Sequence, residues 1–413
     1  MSIRTVPVEV AIRRYTIVLA SLLALGCARA DAPEVVSPGG PLSTDRCPHV
    51  DVIRQDLPAA PGHWYRLFAG CGGDQPCVLA PDARSDRIVY FTLDAAGQVR
   101  SRTELARSVA SASTLLPPVR AAAGELLTPS MDAAIEDSGI VFLTHPDNEP
   151  ARVVRYSPEG TLRWSATLAN QLSESPVRVA VAGSAVAILS LSHSGGALTF
   201  LDRDSGQELA REDLARVESA PTAACLTVHD GRFFVATVRP VAVAPRPGLH
   251  AVIEAFWTDR EHRTAATPMF IAETGQELDC AARRDGIGLV SLSAAGVVYA
   301  ALDVHGALST PARTIFRHPR RAGFISAHPR LFVSGERSFV SWEYRAWSFE
   351  NIGESEAWLS VLDADGRPTR ARSLGHGTRN VAFVGTSQGP TVVYENGART
   401  SSVARVGCGD PSR

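Results

Sequence analysis

The sequence predicts an all-β protein, a single β-propeller with seven four-stranded blades closed by an N-terminal strand. The first observation is a repeat, because a tight turn followed by a strand rich in Val, Ile, Phe and Leu recurs seven times. The second is the lack of a sustained amphipathic helical pattern, since the single candidate at residues 108–127 is interrupted by two prolines. The turns are spaced by 46 to 55 residues and begin at Asp86, Asp137, Gly183, Asp230, Asp285, Gly335 and Gln388.

Hairpins within the repeated units carry the residue types that tight turns require. An Asp opens most of them and a Gly follows, because the Asp side chain bonds nearby backbone and Gly adopts positive φ without strain. These hairpins lie at residues 93–97, 156–160, 201–206, 302–306 and 362–366. Four strands in each unit of about 50 residues are typical of a β-propeller.

Closure of the ring predicts a role for the N-terminal part of the chain. The last unit contains only three strands, at residues 380–385, 391–395 and 401–407. We expect residues 63–69 to pair with residues 401–407 as the fourth strand, because an unpaired sheet edge invites pairing. The predicted propeller therefore covers residues 62–408, and residues 409–413 form a C-terminal tail.

Residues 1–26 have the pattern of a bacterial export signal. Three arginines precede an uncharged run at residues 15–25, which is too short to span a bilayer. The run ends in Leu-Ala-Leu-Gly-Cys27, which resembles a lipobox. The resemblance implies cleavage before Cys27, a lipid anchor on that cysteine, and a tether at residues 27–61. Ala28 favours the outer membrane, with the protein facing the periplasm or the cell surface; the alternative is ordinary secretion.

Composition excludes several function classes. Removal of residues 1–26 takes away three arginines and Glu9, which changes the formal charge from −2 to −4. No basic stripe forms, so nucleic-acid binding is not expected. The chain contains no lysine, which excludes Schiff-base catalysis, a phosphate-loop lysine and activation of a nucleophile by Ser-x-x-Lys.

The cysteine count predicts three disulfides. With Cys27 lipidated, six cysteines remain, an even number that fits an oxidising compartment. Fifteen pairings are possible, and the propeller geometry favours three of them. Ring closure brings Cys408 towards Cys47, the equivalent innermost positions of neighbouring blades pair Cys225 with Cys280, and the local pair is Cys71 with Cys77. The inner-strand pair is the most demanding, because inner strands often lie too far apart for disulfide geometry.

Two hairpins carry a resemblance to a known repeat. Residues 202–206 and residues 157–164 resemble the repeat of the PQQ-like (quinoprotein-like) propellers, and residues 273–276 match it in part. The second hairpin has the Gly-x-x-x-Trp spacing of the packing tryptophan of that repeat, at Trp164. The resemblance covers roughly residues 62–408 and implies the propeller fold. The cofactor ligands of the family's enzymes cannot be placed, so no cofactor is expected.

The motifs that could indicate chemistry are better explained as turns. The Gly-x-Ser-x-Gly sequence at residues 385–389 lies between strands, whereas a nucleophile elbow needs a strand-to-helix turn. The carboxylates at residues 202–208 and 363–365 do not have calcium-loop spacing, and no histidine motif indicates a metal site. The sequence therefore predicts no catalytic residues and no metal.

Three long connections indicate a binding face. The segments at residues 239–249, 315–328 and 345–356 all fall on the face that the second-to-third and blade-to-blade connections share. Aromatic side chains and arginines are typical of protein-binding hot spots. The predicted binding residues are Trp342, Tyr344, Arg345, Trp347, Phe349, Arg320 and Arg321, although Trp342 and Tyr344 could instead pack between blades.

The function that the sequence predicts is a monomeric, lipid-anchored scaffold of the cell envelope that binds another envelope protein. The alternative is a propeller enzyme of the hydrolase or lyase type that acts on a small molecule or glycan in the central channel. Residues at the ends of inner strands could serve it, namely His229, Asp230, Arg283, Arg284 and Asp285. A third possibility is a structural envelope protein without a specific ligand.

Overall fold

The fold is all-β within the part of the chain that the computed structural model describes. The described residues are 50–56, 68–70, 77–81, 88–94, 99–105, 130–145, 150–168, 174–192, 195–214, 223–240, 249–259, 263–265, 269–272, 277–293, 296–317, 324–346, 355–369, 371–386, 389–396 and 401–408. These residues form 29 β-strands. Within these ranges, no helix has the length and apolar character needed to span a membrane.

Four sheets form the first four blades, and each is written from its innermost to its outermost strand. Blade 1 contains β2 (Phe68–Gly70), β3 (Cys77–Pro81), β4 (Ile88–Leu93) and β5 (Val99–Leu105). Blade 2 contains β6 (Ser130–Glu136), β7 (Gly139–His145), β8 (Arg152–Tyr156) and β9 (Leu162–Thr167). Blade 3 contains β10 (Glu174–Ala182), β11 (Ala185–Ser192), β12 (Gly195–Asp202) and β13 (Glu208–Asp213). Blade 4 contains β14 (Ala223–His229), β15 (Arg232–Pro240) and β16 (Leu249–Thr258), with β17 (Arg263–Ala265) and β18 (Met269–Ala272) sharing the outer position.

Three further sheets complete the ring. Blade 5 contains β19 (Leu278–Arg283), β20 (Gly286–Ser293), β21 (Gly296–Asp303) and β22 (Leu308–Arg317). Blade 6 contains β23 (Phe324–Ser334), β24 (Arg337–Ala346), β25 (Ser355–Leu362) and β26 (Arg372–His376). Blade 7 contains β27 (Arg379–Thr386), β28 (Gly389–Glu395) and β29 (Ser401–Cys408), with β1 (Val50–Asp56) as its outermost strand. The predicted seven-bladed propeller is thereby confirmed.

The first strands of the blades surround a central axis. Each contacts the first strand of the next blade, in the order β2, β6, β10, β14, β19, β23 and β27, and β27 contacts β2 again. All strand pairs within the blades are antiparallel, so the first strands begin on one face of the ring, here called the upper face. The connections from second to third strands lie on that face too. The opposite, lower face holds the first-to-second and third-to-fourth hairpins.

Blade 7 corrects the predicted closure. The strand that pairs with β29 is β1, in the register Val50↔Cys408 to Asp56↔Ser402, and not residues 63–69. Phe68 instead begins the innermost strand of blade 1, where its side chain is buried against blade 2. A propeller limit at residue 62 is therefore wrong, because residues 50–56 belong to the ring. An innermost strand must bury apolar groups in a seam, and this requirement assigns Phe68 to the core.

The core is divided into seven apolar clusters, one at each seam between neighbouring blades, within the described residues. Successive residues of one strand enter opposite seams. In β11, Val186 and Ile188 pack towards blade 2, whereas Ala187 and Leu189 pack towards blade 4. Because both faces of a blade are buried, its middle strands have continuous apolar runs and lack a hydrophobic–polar alternation.

Hairpin glycines are the points at which one blade receives the side chains of the preceding blade. A Cβ on Gly206 of blade 3 would lie 2.6 Å from the indole of Trp164 of blade 2. The same relation joins Gly366 of blade 6 to Tyr299 of blade 5, where the Cβ would lie 2.8 Å from the ring. Both glycines also have positive φ, at +73° and +71°. These turns therefore need glycine both for backbone conformation and for space.

A disulfide joins the inner strands of two neighbouring blades. Cys225 of β14 and Cys280 of β19 are bonded, with 5.8 Å between their Cα atoms. This is the inner-strand pairing that the sequence predicted. Cys77 is also disulfide-bonded. The side chains of Cys27, Cys47, Cys71 and Cys408 lie outside the described part of the chain.

Comparison of two glycine substitutions separates crowding from backbone strain. Gly206→Ala is expected to destabilise the protein by about 1–3 kcal/mol more than Gly231→Ala. Gly231 has a φ of +74° but no atom within 4 Å of its Cβ position, so it matches the backbone strain and lacks the contact with Trp164. Chemical denaturation of both variants measures the difference. Equal losses of stability would show that the indole does not require glycine at this turn.

Candidate functional site

The upper mouth of the channel contains three bulged inner strands. The register shifts in β10 between Pro176 and Arg178, in β23 between Ala327 and Arg330, and in β27 between Arg379 and Ala382. Each shift lies near the beginning of its strand and therefore near the upper face. A bulge leaves backbone groups unpaired within its own sheet. These groups need hydrogen-bond partners from elsewhere, because buried backbone amides are costly when unpaired.

Acidic side chains of the preceding blade accept hydrogen bonds from these bulges. The shared feature is a carboxylate oxygen at 2.5–2.9 Å from a backbone nitrogen of the next inner strand. The pairs are Asp132 with Val179, Glu277 with His328, Asp279 with Leu331, and Glu343 with Asn380. The same device thus joins blade 2 to blade 3, blade 5 to blade 6, and blade 6 to blade 7. The acids at the mouth are consequently part of the ring's framework.

Glu277, His328 and Arg345 form a polar group at the mouth, here called the mouth cluster. The backbone N–H of His328 donates to Glu277 Oε2 at 2.5 Å, and the ring Nδ1 lies 3.4 Å from the same oxygen. Arg345 Nη1 lies 3.1 Å from His328 Nε2. His328 has a positive φ of 52° at the bulge, which turns its backbone N–H towards Glu277. Its side chain is 39% exposed and that of Glu277 is 33% exposed, so the cluster is partly buried and partly accessible to solvent.

The surroundings of Glu277 strongly favour its ionised form. Burial by itself raises the pKa of this carboxyl, but the charge and hydrogen bonds of His328 and the charge of Arg345 lower it from 4.5 to about 2. The carboxylate therefore stays ionised throughout the neutral range. It acts as a fixed negative group on one side of the His328 imidazole, whose other nitrogen faces the guanidinium of Arg345.

Blade 7 has a second polar group at the same mouth. Arg379 Nη2 donates to Glu395 Oε1 at 2.6 Å, and Asn380 Nδ2 donates to Glu395 Oε2 at 3.0 Å. Burial alone lowers the pKa of Arg379, but its hydrogen bond and ion pair with Glu395 raise it. Glu395 is fully buried, so this pair holds β27 and β28 together inside the ring.

One arginine reaches between blades that are not neighbours. Arg178 of blade 3 donates from Nη2 to the carbonyl of Leu278 in blade 5, at 3.2 Å. The contact spans the position of blade 4, so the guanidinium lies across the upper part of the channel. It adds a positive charge beside the residue that follows Glu277.

The structure separates the predicted binding residues into three groups. Trp342 is 0% exposed and packs against Phe316 with 4.6 Å between ring centroids, and Tyr344 is 7% exposed. Trp342 lies in the apolar cluster between blades 5 and 6, and the burial of both side chains corrects their assignment to an exposed binding surface. Arg345 is half-buried and belongs to the mouth cluster. The other four, Trp347, Phe349, Arg320 and Arg321, lie outside the described residues.

The residues at the lower ends of the inner strands serve mainly as turn and seam residues. Arg283 of blade 5 binds Asp285 of its own hairpin, with Nε 3.0 Å from Oδ1. Asp230 has a positive φ of 49° in the turn that follows His229. Among the described residues, no group of three or more His, Cys, Asp and Glu side chains is arranged to hold a metal ion.

The sequence did not predict the mouth cluster as a unit. Glu277 and Arg345 lie 68 positions apart, and His328, which contacts both, lies in the bulge of β23. A signal was present in the sequence, because Pro329 follows His328 inside a strand and proline in a strand often marks a bulge. Which residue of the neighbouring blade contacts His328 depends on how the blades pack in the ring.

Comparison with known proteins assigns no family. No family model matches the chain, and no curated protein matches it. The solved structures similar to it include a member of the DUF4221 family from Bacteroides vulgatus, at 8% identity and a TM-score of 0.44, covering 88% of this chain and 99% of that one.

Two further solved structures have similar scores. Hydrazine synthase from Kuenenia stuttgartiensis is 10% identical with a TM-score of 0.42, covering 67% of this chain and 79% of that one. A subtype N10 neuraminidase-like protein of A/little yellow-shouldered bat/Guatemala is 10% identical with a TM-score of 0.40, covering 66% and 93%. Likeness at this level carries no functional inference, so the fold assignment rests on the sheet topology described above.

The depressed pKa of Glu277 predicts a pH dependence of stability. A carboxyl whose folded pKa lies below its unfolded value stabilises the fold above the unfolded pKa, and this stabilisation is lost as pH falls through the folded pKa. The stability difference between the natural chain and Glu277→Gln should therefore be greatest above pH 4.5 and shrink as pH falls towards 2. Denaturant unfolding between pH 2 and pH 7 measures it.

The control is Glu208→Gln, which also removes one negative charge but at an exposed position of β13. A difference for Glu277→Gln that stays constant across this pH range would contradict the role of its ionised form in the cluster.

Proposed function

We propose that this protein is a lipid-anchored binding module of the cell envelope that recruits another envelope protein through its upper face. The lipobox-like sequence ending in Cys27 supports export and anchoring, and Ala28 supports an outer-membrane location. The lipid would provide the contact with the membrane. The propeller would provide a rigid platform held away from it.

The position of the long connections is the observation that carries this proposal. Residues 241–248 join β15 to β16, residues 318–323 join β22 to β23, and residues 347–354 join β24 to β25. All three connections link strand ends on the upper face. The lower-face hairpins that join third to fourth strands in blades 2, 3 and 5 are shorter, whereas the corresponding connection of blade 6, residues 363–371, is long. Most of the long connections therefore lie on the upper face, as expected when loops on a rigid scaffold carry binding.

The hydrogen bonds of the acidic side chains at the channel mouth also favour a rigid platform for binding. Asp132, Asp279 and Glu343 are all occupied by backbone amides of the neighbouring blade. Groups in such contacts stabilise the ring and define the shape of its mouth. We further propose that the repeat is of the PQQ-like type, which the packing of Trp164 supports. Its Nε1 donates to the carbonyl of Arg203 in the next blade at 2.8 Å.

Site-specific photo-crosslinking tests the binding function. A genetically placed photoreactive residue at position 347 should give one dominant protein adduct in native envelopes, and Phe349→Ala should reduce its yield severalfold. Amine-directed reagents are unsuitable because the chain has no lysine side chains.

The same probe at Val304, an exposed position on the lower face, is the control for random encounters. Equal labelling from both positions, or no protein adduct from position 347, would overturn binding through the upper face.

The mouth cluster favours a second candidate, a propeller enzyme that acts on a small molecule or glycan in the channel. A carboxylate at one nitrogen of a histidine orients and polarises the ring as a general base, and Glu277 lies in that position relative to His328. Arg345 could then bind an anionic group of the substrate. For this function Arg345 must release Nε2, because the lone pair of that nitrogen faces the guanidinium.

Hydrolysis or elimination assays on envelope glycans distinguish the candidates. For the enzyme, His328→Gln should lower kcat by at least about 100-fold, whereas crosslinking from position 347 should be unchanged. A matched control is His376→Gln, on an exposed position of the outer strand β26. Turnover that survives His328→Gln would rule out this residue as the base.

A further inference from the structure

Two seams of the ring share a construction at the lower face. In the seam between blades 2 and 3, Arg155 Nη1 and Trp164 Nε1 both donate to the carbonyl of Arg203, at 2.5 and 2.8 Å. In the seam between blades 5 and 6, Arg283 donates to the carbonyl of Ala364 at 3.2 Å and to the Tyr299 hydroxyl at 2.7 Å. Each seam thus combines an arginine, an aromatic ring and a carbonyl of the next blade's hairpin.

The seam between blades 4 and 5 has the arginine and the aromatic ring but lacks these hydrogen bonds. The guanidinium carbon of Arg232 lies 5.6 Å from the ring centroid of Trp257. In the described part of the chain, neither Arg232 Nε nor Trp257 Nε1 has a hydrogen-bond acceptor, although both atoms are buried. His229 Nε2 also lacks a hydrogen bond, and its nearest carboxylate oxygen is Asp230 Oδ2 at 3.3 Å.

The three side chains belong to one surface of blade 4. His229 pairs with Arg232 across the β14–β15 hairpin, and Phe234 pairs with Trp257 between β15 and β16. Positions 232 and 234 lie on the same side of β15 because side chains alternate along a strand. That side faces blade 5, since Phe234 and Trp257 pack in the seam cluster with residues of blade 5.

The cost of leaving these groups unpaired points to a ligand. Each buried donor without an acceptor destabilises the fold relative to a paired one, because its lost hydrogen bonds to water are not replaced. A guanidinium has five N–H donors and is always charged, so an arginine inside a seam normally has a carboxylate or carbonyl partner. The nearby carboxylates do not supply an acceptor for Arg232 Nε, because Asp285 is bound by Arg283 and the carboxylate of Asp230 faces His229.

The seam is also held in place before any ligand binds. The Cys225–Cys280 disulfide joins the inner strands of these two blades. Trp257 is only 2% exposed and packs against Phe234, with 5.0 Å between ring centroids. A site with fixed walls and unpaired donors loses little entropy when it binds a small ligand.

We propose that the lower-face seam between blades 4 and 5 is a binding site for an oxyanion, a carboxylate or phosphate group of a small ligand. Arg232 supplies the charge and Nε–H, Trp257 supplies the indole N–H, and His229 supplies the third polar contact. The ligand's oxygen atoms take the place that the hairpin carbonyl has in the other two seams. This site lies on the face opposite to the proposed protein-binding surface and does not depend on it.

Calorimetric titration of the full-length chain in detergent, with sodium phosphate and separately with sodium acetate, tests the site. Ionic strength is kept constant with sodium chloride at pH 7. We expect saturable 1:1 binding of at least one anion. Arg232→Gln should weaken it at least tenfold, and Trp257→Phe, which removes one neutral donor, should weaken it about fivefold. Phosphate binding without acetate binding would indicate a phosphate ligand, and the reverse would indicate a carboxylate ligand.

The matched control is Arg211→Gln, which removes the same charge from the outer strand β13, where Arg211 pairs with Asp213. This variant should bind as the natural chain does. Arg232→Lys, which keeps the charge and loses Nε–H, provides the test if Arg232→Gln does not fold, and intermediate affinity is expected. Absence of saturable binding by the natural chain, or equal affinity in the Arg232 and Arg211 variants, would overturn the proposal.

Discussion

The pairing of β1 with β29 is the constraint on which the rest of the structure depends. It adds the outermost strand to blade 7 and ties a segment from near the N-terminus to the last strand of the chain. Each blade buries both of its faces, so every seam needs a complete blade on either side. A ring with an incomplete blade would leave part of two seams exposed and an open sheet edge. The positions of the inner strands, and therefore of the channel mouth, follow from this closure.

Polar interactions between blades determine a different property of the ring from the one that apolar packing determines. The seven apolar clusters hold neighbouring blades together but do not fix the height of one blade relative to the next. The carboxylates that accept hydrogen bonds from bulged inner strands do fix it, because a charge-assisted hydrogen bond is short and directional. Asp132 and Glu343 show the same solution in different parts of the ring. The upper mouth is consequently rigid and charged at the same time.

The two proposed sites differ in how their polar groups are used. In the mouth cluster, Glu277, His328 and Arg345 contact one another, and a partner would meet a preformed and partly exposed arrangement. In the seam between blades 4 and 5, Arg232 and Trp257 lack the acceptors that their counterparts have elsewhere. Such a difference is easy to recognise in a repeated architecture, because each seam can be compared with the equivalent positions of the other seams. The deviation from the repeat, more than the repeat itself, is the basis of the proposed binding site.

The sequence by itself determined the fold class, the number of blades and the inner-strand disulfide. Turn chemistry and apolar strands recur at a regular interval, and such local signals survive without knowledge of the tertiary structure. The disulfide between Cys225 and Cys280 followed from equivalent positions in that repeat. Only the tertiary structure decided which N-terminal segment closes the ring and which side chains meet across a seam. These contacts join residues far apart in the chain, and the bulges and seam geometry that bring them together depend on the packing of the whole ring.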